Sequence, residues 1–165
     1  MIKKLCGLLM ACGLLITANA QDNKQSLFAE KELNLSLSTD YNVNNGFDTP
    51  YDFNLSVGAG YYITKYVGIS TTVPFRTSND FVLNNVIAGL DFRVPLAKRL
   101  AIVVSPQARY NWDAARITPR LQTTLEYRFN SKIGVFVGGS YNLLGFGDYK
   151  GGTFGTEGGI RFNLF

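Results

Sequence analysis

Histidine is absent from all 165 residues, and cysteine occurs only at Cys6 and Cys12. The first absence removes the commonest general base and the commonest metal ligand. The second leaves everything beyond residue 12 without a disulfide, a thiol nucleophile or a thiolate metal site. Net charge is also small. Two of the 16 basic residues and none of the 12 acids fall within residues 1–20, so the remainder carries +2, too little to argue for nucleic-acid binding. No long helical periodicity appears after residue 30.

The first residues read as an export signal. Lys3 and Lys4 precede an apolar run from Leu5 to Ala18, and Ala18-Asn19-Ala20 offers small residues where a signal peptidase reads them. Cleavage is expected after Ala20, with Gln21 as the new N-terminus. The run is too short for a membrane helix, which needs about 20 apolar residues. Leu9-Met10-Ala11-Cys12-Gly13 also resembles a lipoprotein cleavage box, which would make Cys12 a lipid anchor. The expected organisation is a signal peptide over 1–20, a short polar periplasmic tail over 21–30, and one domain over 31–165.

That domain shows period-two alternation eight times, the mark of strands with two different faces. Sequence places strands at Leu33–Tyr41, Asp52–Tyr61, Val67–Phe75, Asn85–Val94, Leu100–Tyr110, Arg120–Phe129, Ile133–Asn142 and Glu157–Leu164. The sixth is the clearest: Arg120, Gln122, Thr124, Glu126 and Arg128 alternate with Leu121, Thr123, Leu125, Tyr127 and Phe129. Tight turns are expected at Ile63–Lys65, Leu96–Arg99 and Asn130–Lys132. Longer loops rich in Asn, Asp and Gly are expected at Asn42–Pro50, Arg76–Phe81, Asn111–Pro119 and Leu144–Gly152.

Orientation of the two faces decides between a soluble lipocalin-like barrel and a membrane barrel, which turns its apolar face outward. The apolar face carries no charge at mid-strand. The polar face balances Arg93, Arg109, Arg120, Arg128 and Arg161 against Asp40, Asp52, Asp91, Glu126 and Glu157, as a confined interior requires. Aromatic residues gather toward strand ends: Tyr41, Tyr51, Phe75, Tyr110 and Trp112 near the loops, and Tyr61, Tyr66, Phe92, Tyr127 and Phe129 near the turns. They suit two interfacial girdles. The fold class expected is all-β: an eight-stranded antiparallel up-and-down transmembrane β-barrel preceded by a cleavable signal peptide. The glycines of the seventh strand are expected to make room for long side chains of the sixth.

The chain closes on Phe162-Asn163-Leu164-Phe165. With the strand count and loop asymmetry, this resembles the small bacterial outer-membrane barrels of the OmpA-barrel, OmpX and OmpW type. Gly60-Tyr61-Tyr62-Ile63-Thr64-Lys65-Tyr66-Val67-Gly68-Ile69 is similar to a turn found in porin-like families. The resemblance implies an outer-membrane location with both termini periplasmic, outer-membrane lipid as surroundings, and an insertion signal at Phe162, Leu164 and Phe165 read by the barrel-assembly machinery. It departs from full-length OmpA proteins in that no peptidoglycan-binding domain follows.

Barrel enzymes of that class imply an essential histidine, so no enzyme, cofactor or metal is expected. Glu126 and Glu157 read as lumen charges neutralised by arginines rather than as an acid–base pair. Asp48, Asp80, Asp113 and Asp148 lack Ca²⁺-loop spacing, and the glycines at 145, 147, 151 and 152 lack the strand–helix context of a phosphate cradle. The expected site is a lumen charge network of Asp91, Arg93, Arg109, Arg120, Glu126, Arg128, Glu157 and Arg161. The expected role is a non-enzymatic membrane barrel whose surface loops bind or adhere. The alternatives are a narrow channel for small polar or amphipathic solutes, and a periplasmic lipocalin-like binder.

Overall fold

The computed structural model describes residues 27–43, 51–76, 83, 85–143 and 153–164. The expected signal peptide, Cys12, Asp48, Asp80, Asp148, Phe165 and the glycines near residue 150 lie outside these residues, as do the side chains of Tyr51 and Asp52. Eight strands form: β1 (Glu32–Val43), β2 (Tyr51–Tyr62), β3 (Val67–Arg76), β4 (Asn85–Ala97), β5 (Leu100–Asn111), β6 (Arg116–Arg128), β7 (Ile133–Asn142) and β8 (Thr153–Asn163). Each pairs antiparallel with its chain neighbours, and β8 returns to β1, with Asn34 opposite Asn163 and Asp40 opposite Glu157, to close a barrel. Closure leaves no unpaired sheet edge.

The turns are built by local side-chain chemistry. Between β2 and β3, Thr64 Oγ1 accepts hydrogen bonds from the backbone N–H groups of Tyr66 (3.2 Å) and Val67 (3.0 Å). Between β6 and β7, Asn130 Oδ1 accepts from Lys132 N (2.8 Å) and Ile133 N (2.9 Å). Short polar side chains that bond the backbone two or three residues on are what such reversals favour. Lys98 and Arg99 alone separate β4 from β5, where the register shifts between Pro95 and Ala97.

One connection differs from expectation. Asn111–Pro119 is not a long loop: β6 begins at Arg116, paired with Asn111, and only 112–115 reverse the chain. Asn111 Oδ1 accepts from Ala114 N at 2.8 Å, and Ala115 turns with φ of 46°. Pro119, the last residue of that expected loop, sits at the end of the β6–β7 ladder. Its carbonyl still accepts from Leu143 N at 2.8 Å, so proline removes only a terminal rung.

The two faces separate cleanly. Outward side chains include Leu35 and Leu37 on β1, Val57 on β2, Ile69 on β3, Leu90 on β4, Leu121 and Leu125 on β6, Val137 on β7 and Ile160 on β8, all exposed. Inward lie Arg93, Arg128 and Glu126, each with no accessible surface, together with buried Asp40, Asp91, Arg120 and Glu157. A lipocalin-like interior would be apolar, so this distribution overturns that alternative and fits a barrel whose solvent is lipid. Tyr41, Tyr110, Trp112 and Tyr141 are exposed at the loop end. Tyr61, Tyr127 and Phe129 are exposed at the turn end, where the Tyr127 and Phe129 rings meet edge to face at 5.4 Å.

Leu121 lies at mid-strand on the outward face. Leu121→Arg should therefore cost about 2–4 kcal/mol of membrane stability and reduce assembly. Loss of the folded, faster-migrating band on an unboiled denaturing gel would show it; an unchanged band would refute the face assignment.

Candidate functional site

The lumen holds two clusters of charge. The lower one, at the turn end, is built around two glutamates. Glu32, at the start of β1, receives Arg93 Nη2 at 3.0 Å and both Nη1 (2.8 Å) and Nη2 (2.5 Å) of Arg128. Glu126 on β6 receives Arg128 Nε at 2.9 Å and Arg161 Nη1 at 2.5 Å, with Arg93 Nε at 4.0 Å. Alternation explains the convergence, since residues two apart on β6 share the inward face and the closing strand β8 brings Arg161 alongside.

Three guanidiniums thus meet two carboxylates, and aromatic rings take up the surplus. The Arg93 guanidinium lies 3.4 Å from the centroid of Tyr62 and 5.0 Å from that of Phe28. Arg128 lies 4.4 Å from Phe28, and Arg161 lies 5.1 Å from Phe136. The negative face of a ring attracts a desolvated cation by about 2 kcal/mol. This accounts for Arg93 Nε and Nη1 being buried without a hydrogen-bond partner. Arg128 Nη1 also donates to the Leu27 carbonyl at 2.9 Å.

The upper cluster is smaller. Arg120 Nη2 donates to Glu157 Oε2 at 3.1 Å, and Gln122 bonds both Glu157 and Gln107. Between the clusters, Asp91 Oδ1 accepts from the hydroxyls of Ser70 (2.9 Å) and Ser105 (2.7 Å). Toward the loop end Asn85 bonds Asn111, and Asn142 bonds Thr153. Between the clusters lies a cavity of about 30 Å³, lined among others by Ser36, Asp91, Ser105, Thr124, Glu157 and Arg161. That is room for about two water molecules.

Of the expected lumen residues, Arg93, Glu126, Arg128 and Arg161 come together in the lower cluster, and Arg120 with Glu157 in the upper. Asp91 is held by serine hydroxyls, and Arg109 is half-buried at the loop end of β5. Phe162 and Leu164 project outward on the closing strand. Of the expected strand-seven glycines, Gly134 does lie against Arg128, whereas Gly138 faces Thr124. A different glycine admits the Phe136 ring: a Cβ at Gly159 would stand 2.8 Å from Phe136 Cζ.

Three members were not foreseen. Glu32 and Tyr62 were visible in the alternation: Glu32 continues the inward series of Asn34, Ser36 and Ser38, and Tyr62 that of Gly58 and Gly60. Phe28 carries no such signal. It belongs to the segment expected to be a loose polar tail, yet it is buried at 3% exposure, and Leu27 N donates to the Lys98 carbonyl at 3.0 Å. Residues 27–30 are thus part of the barrel's closure, because two guanidiniums at its mouth offer a ring somewhere to stack.

No protein-family model and no curated protein matches the sequence. The fold, however, matches solved structures. A chain from the de novo design of transmembrane β-barrels aligns with a TM-score of 0.66 and 18% identity, over 82% of this chain and 97% of that one. The N-terminal β-barrel domain of Pseudomonas aeruginosa OprF aligns at 0.56 with 12% identity, over 82% and 99%. Neisserial surface protein A aligns at 0.52 with 10% identity, over 79% and 95%. The fold is therefore that of the small eight-stranded transmembrane barrels of the outer-membrane type.

Removing one partner of a buried ion pair costs about 3–5 kcal/mol. Glu126→Gln strips the charge facing both Arg128 and Arg161, whereas Glu157→Gln strips the charge facing one arginine, Arg120, beside the neutral Gln122. The first should lower the urea midpoint of the folded protein at least twice as far as the second, followed by fluorescence of the single tryptophan. Equal shifts would mean that the lower cluster is not the centre of stability.

Proposed function

We propose that the protein is a non-enzymatic integral protein of the bacterial outer membrane whose lumen is sealed, so that the barrel is an anchor and its loop end the working surface. The observation that carries this reading is the filled interior. A cavity of about 30 Å³ between two ion-paired layers cannot pass a solute. Around it Ser70 and Ser105 donate to Asp91 and Gln122 bonds Gln107 and Glu157, while the buried Ser56 hydroxyl has no partner; the sequence offers no histidine to activate any hydroxyl as a nucleophile.

The two termini of the barrel meet at the end that carries the tight turns, where Leu164 N donates to the Leu33 carbonyl at 2.8 Å. In outer-membrane barrels the short turns are periplasmic, so on this reading both termini face the periplasm after the N-terminal leader is removed. The outward Phe162 and Leu164 then serve as the recognition signal for the assembly machinery. Surface ligands would be met by the four connections at the other end, of which 112–115 presents exposed Trp112 and Asp113.

Purified protein inserted in a planar bilayer should be electrically silent. Replacing Arg120 and Glu157 together with alanine removes only the layer above the cavity and should leave the bilayer silent, because the lower cluster still closes the lumen. Reproducible steps from the unmodified protein would overturn the sealed-barrel reading in favour of a narrow channel.

A further inference from the structure

The outward wall of β1–β4 is not uniformly bulky. Ala59 pairs with Thr71, and Thr71 with Ala88, so three small outward residues lie side by side across three strands. Leu33, Tyr61 and Ile69 rise beside them toward the turn end. The result is an apolar groove of about 460 Å³ on the face that meets lipid.

The turn end carries a second feature. Outside the lumen, its described residues include Lys31, Lys65, Lys98, Arg99 and Lys132, against one exposed carboxylate, Glu30. Two of these cations lie on segments that lead into the groove's strands, beyond Leu33, Tyr61 and Ile69 on the turn side. Lys65 is in the turn that joins β2 to β3, with its ammonium 4.9 Å from the Tyr66 ring centroid. Lys31 is exposed two residues before Leu33, where φ of 55° bends the chain into β1. Tyr61 and Tyr66 place aromatic rings at the same level, which is the headgroup level of a membrane barrel.

We propose that this groove binds one anionic phospholipid of the leaflet at the turn end, with an acyl chain along Ala59, Thr71 and Ala88 and its phosphate held by Lys31 and Lys65. The proposal rests on the membrane reading above. An apolar groove at bilayer depth selects a hydrocarbon chain, and a basic rim selects the sign of its headgroup. A lysine near a membrane surface favours an anionic lipid by about fivefold. The groove adds what a diffuse basic rim lacks, a fixed place for the tail.

The test uses protein expressed from the full sequence, extracted from membranes with detergent and examined by native mass spectrometry with added phosphatidylglycerol or phosphatidylcholine. We expect one retained phosphatidylglycerol and a several-fold weaker signal for phosphatidylcholine. Lys31→Gln with Lys65→Gln should erase the difference. Ala59→Leu, which fills the floor, should lower retention of phosphatidylglycerol while leaving the charge intact. Equal retention of both lipids would overturn the proposal. So would an equal loss from Lys98→Gln with Lys132→Gln, on the far side of the rim, or a dimer that Ala59→Leu dissolves. Heat-shifted gel mobility of the same sample separates the two readings: a folded barrel without lipid preference defeats only the site, and absence of a folded membrane form defeats the membrane reading beneath it.

Discussion

An unpaired peptide group in hydrocarbon costs several kcal/mol, because no water replaces the missing partner. The pairing of β8 with β1 is thus the contact on which the other features depend. It gives the last two edges of the sheet each other as partners, from Asn34–Asn163 to Val43–Phe154. Once the sheet is closed and surrounded by lipid, its side chains have only two destinations. Leucine, valine and isoleucine gain nothing from the lumen that lipid does not already supply. Arginine and glutamate have no alternative to it. The inverted distribution of Leu125 and Glu126, adjacent in sequence and opposite in environment, follows from closure and period two alone.

Confinement then dictates how the charges are arranged. Buried ions lose hydration worth several kcal/mol each, and only close, multiply bonded partners offset the loss. Glu32 meets this by accepting from two guanidiniums, and Glu126 by accepting from two with a third close by. The remaining positive surplus is spread over the rings of Tyr62, Phe28 and Phe136 and the carbonyl of Leu27. Aromatic residues inside this barrel are thus electrostatic partners of arginine rather than an apolar core. The same arrangement recruits the segment before β1, since Phe28 completes the stack on Arg93 and Arg128.

Much of this was legible in the chain. Alternation gave all eight strands and most of their inward positions, missing Glu32 and Tyr62 at the strand ends, because a pleated strand allows no other period and a slip of one residue would turn Glu126 toward lipid. Turn positions followed from Thr64 and Asn130, whose side chains bond the backbone they precede. The misjudged boundary at Asn111–Pro119 shows the limit of composition: Pro119 forgoes only the terminal rung toward β7, while β6 reaches back to Arg116 paired with β5. Pairings within the lumen were not legible, because strand register across the closing seam decides which arginine meets which glutamate. Phe28 was invisible for a related reason. Its burial depends on Arg93 and Arg128, 65 and 100 positions further along the chain.

The two ends of the barrel are consequently unlike. At the turn end, short connections, the Phe28 clamp and the lower ion cluster make a rigid base, and its cations all sit on segments too short to move far. Toward the loop end, the Arg120–Glu157 pair and the amide and hydroxyl contacts of Asn85 and Asn142 are single bonds, individually weaker than the bidentate Arg128–Glu32 pair below. A perturbation at the loop end therefore meets less resistance than one at the base.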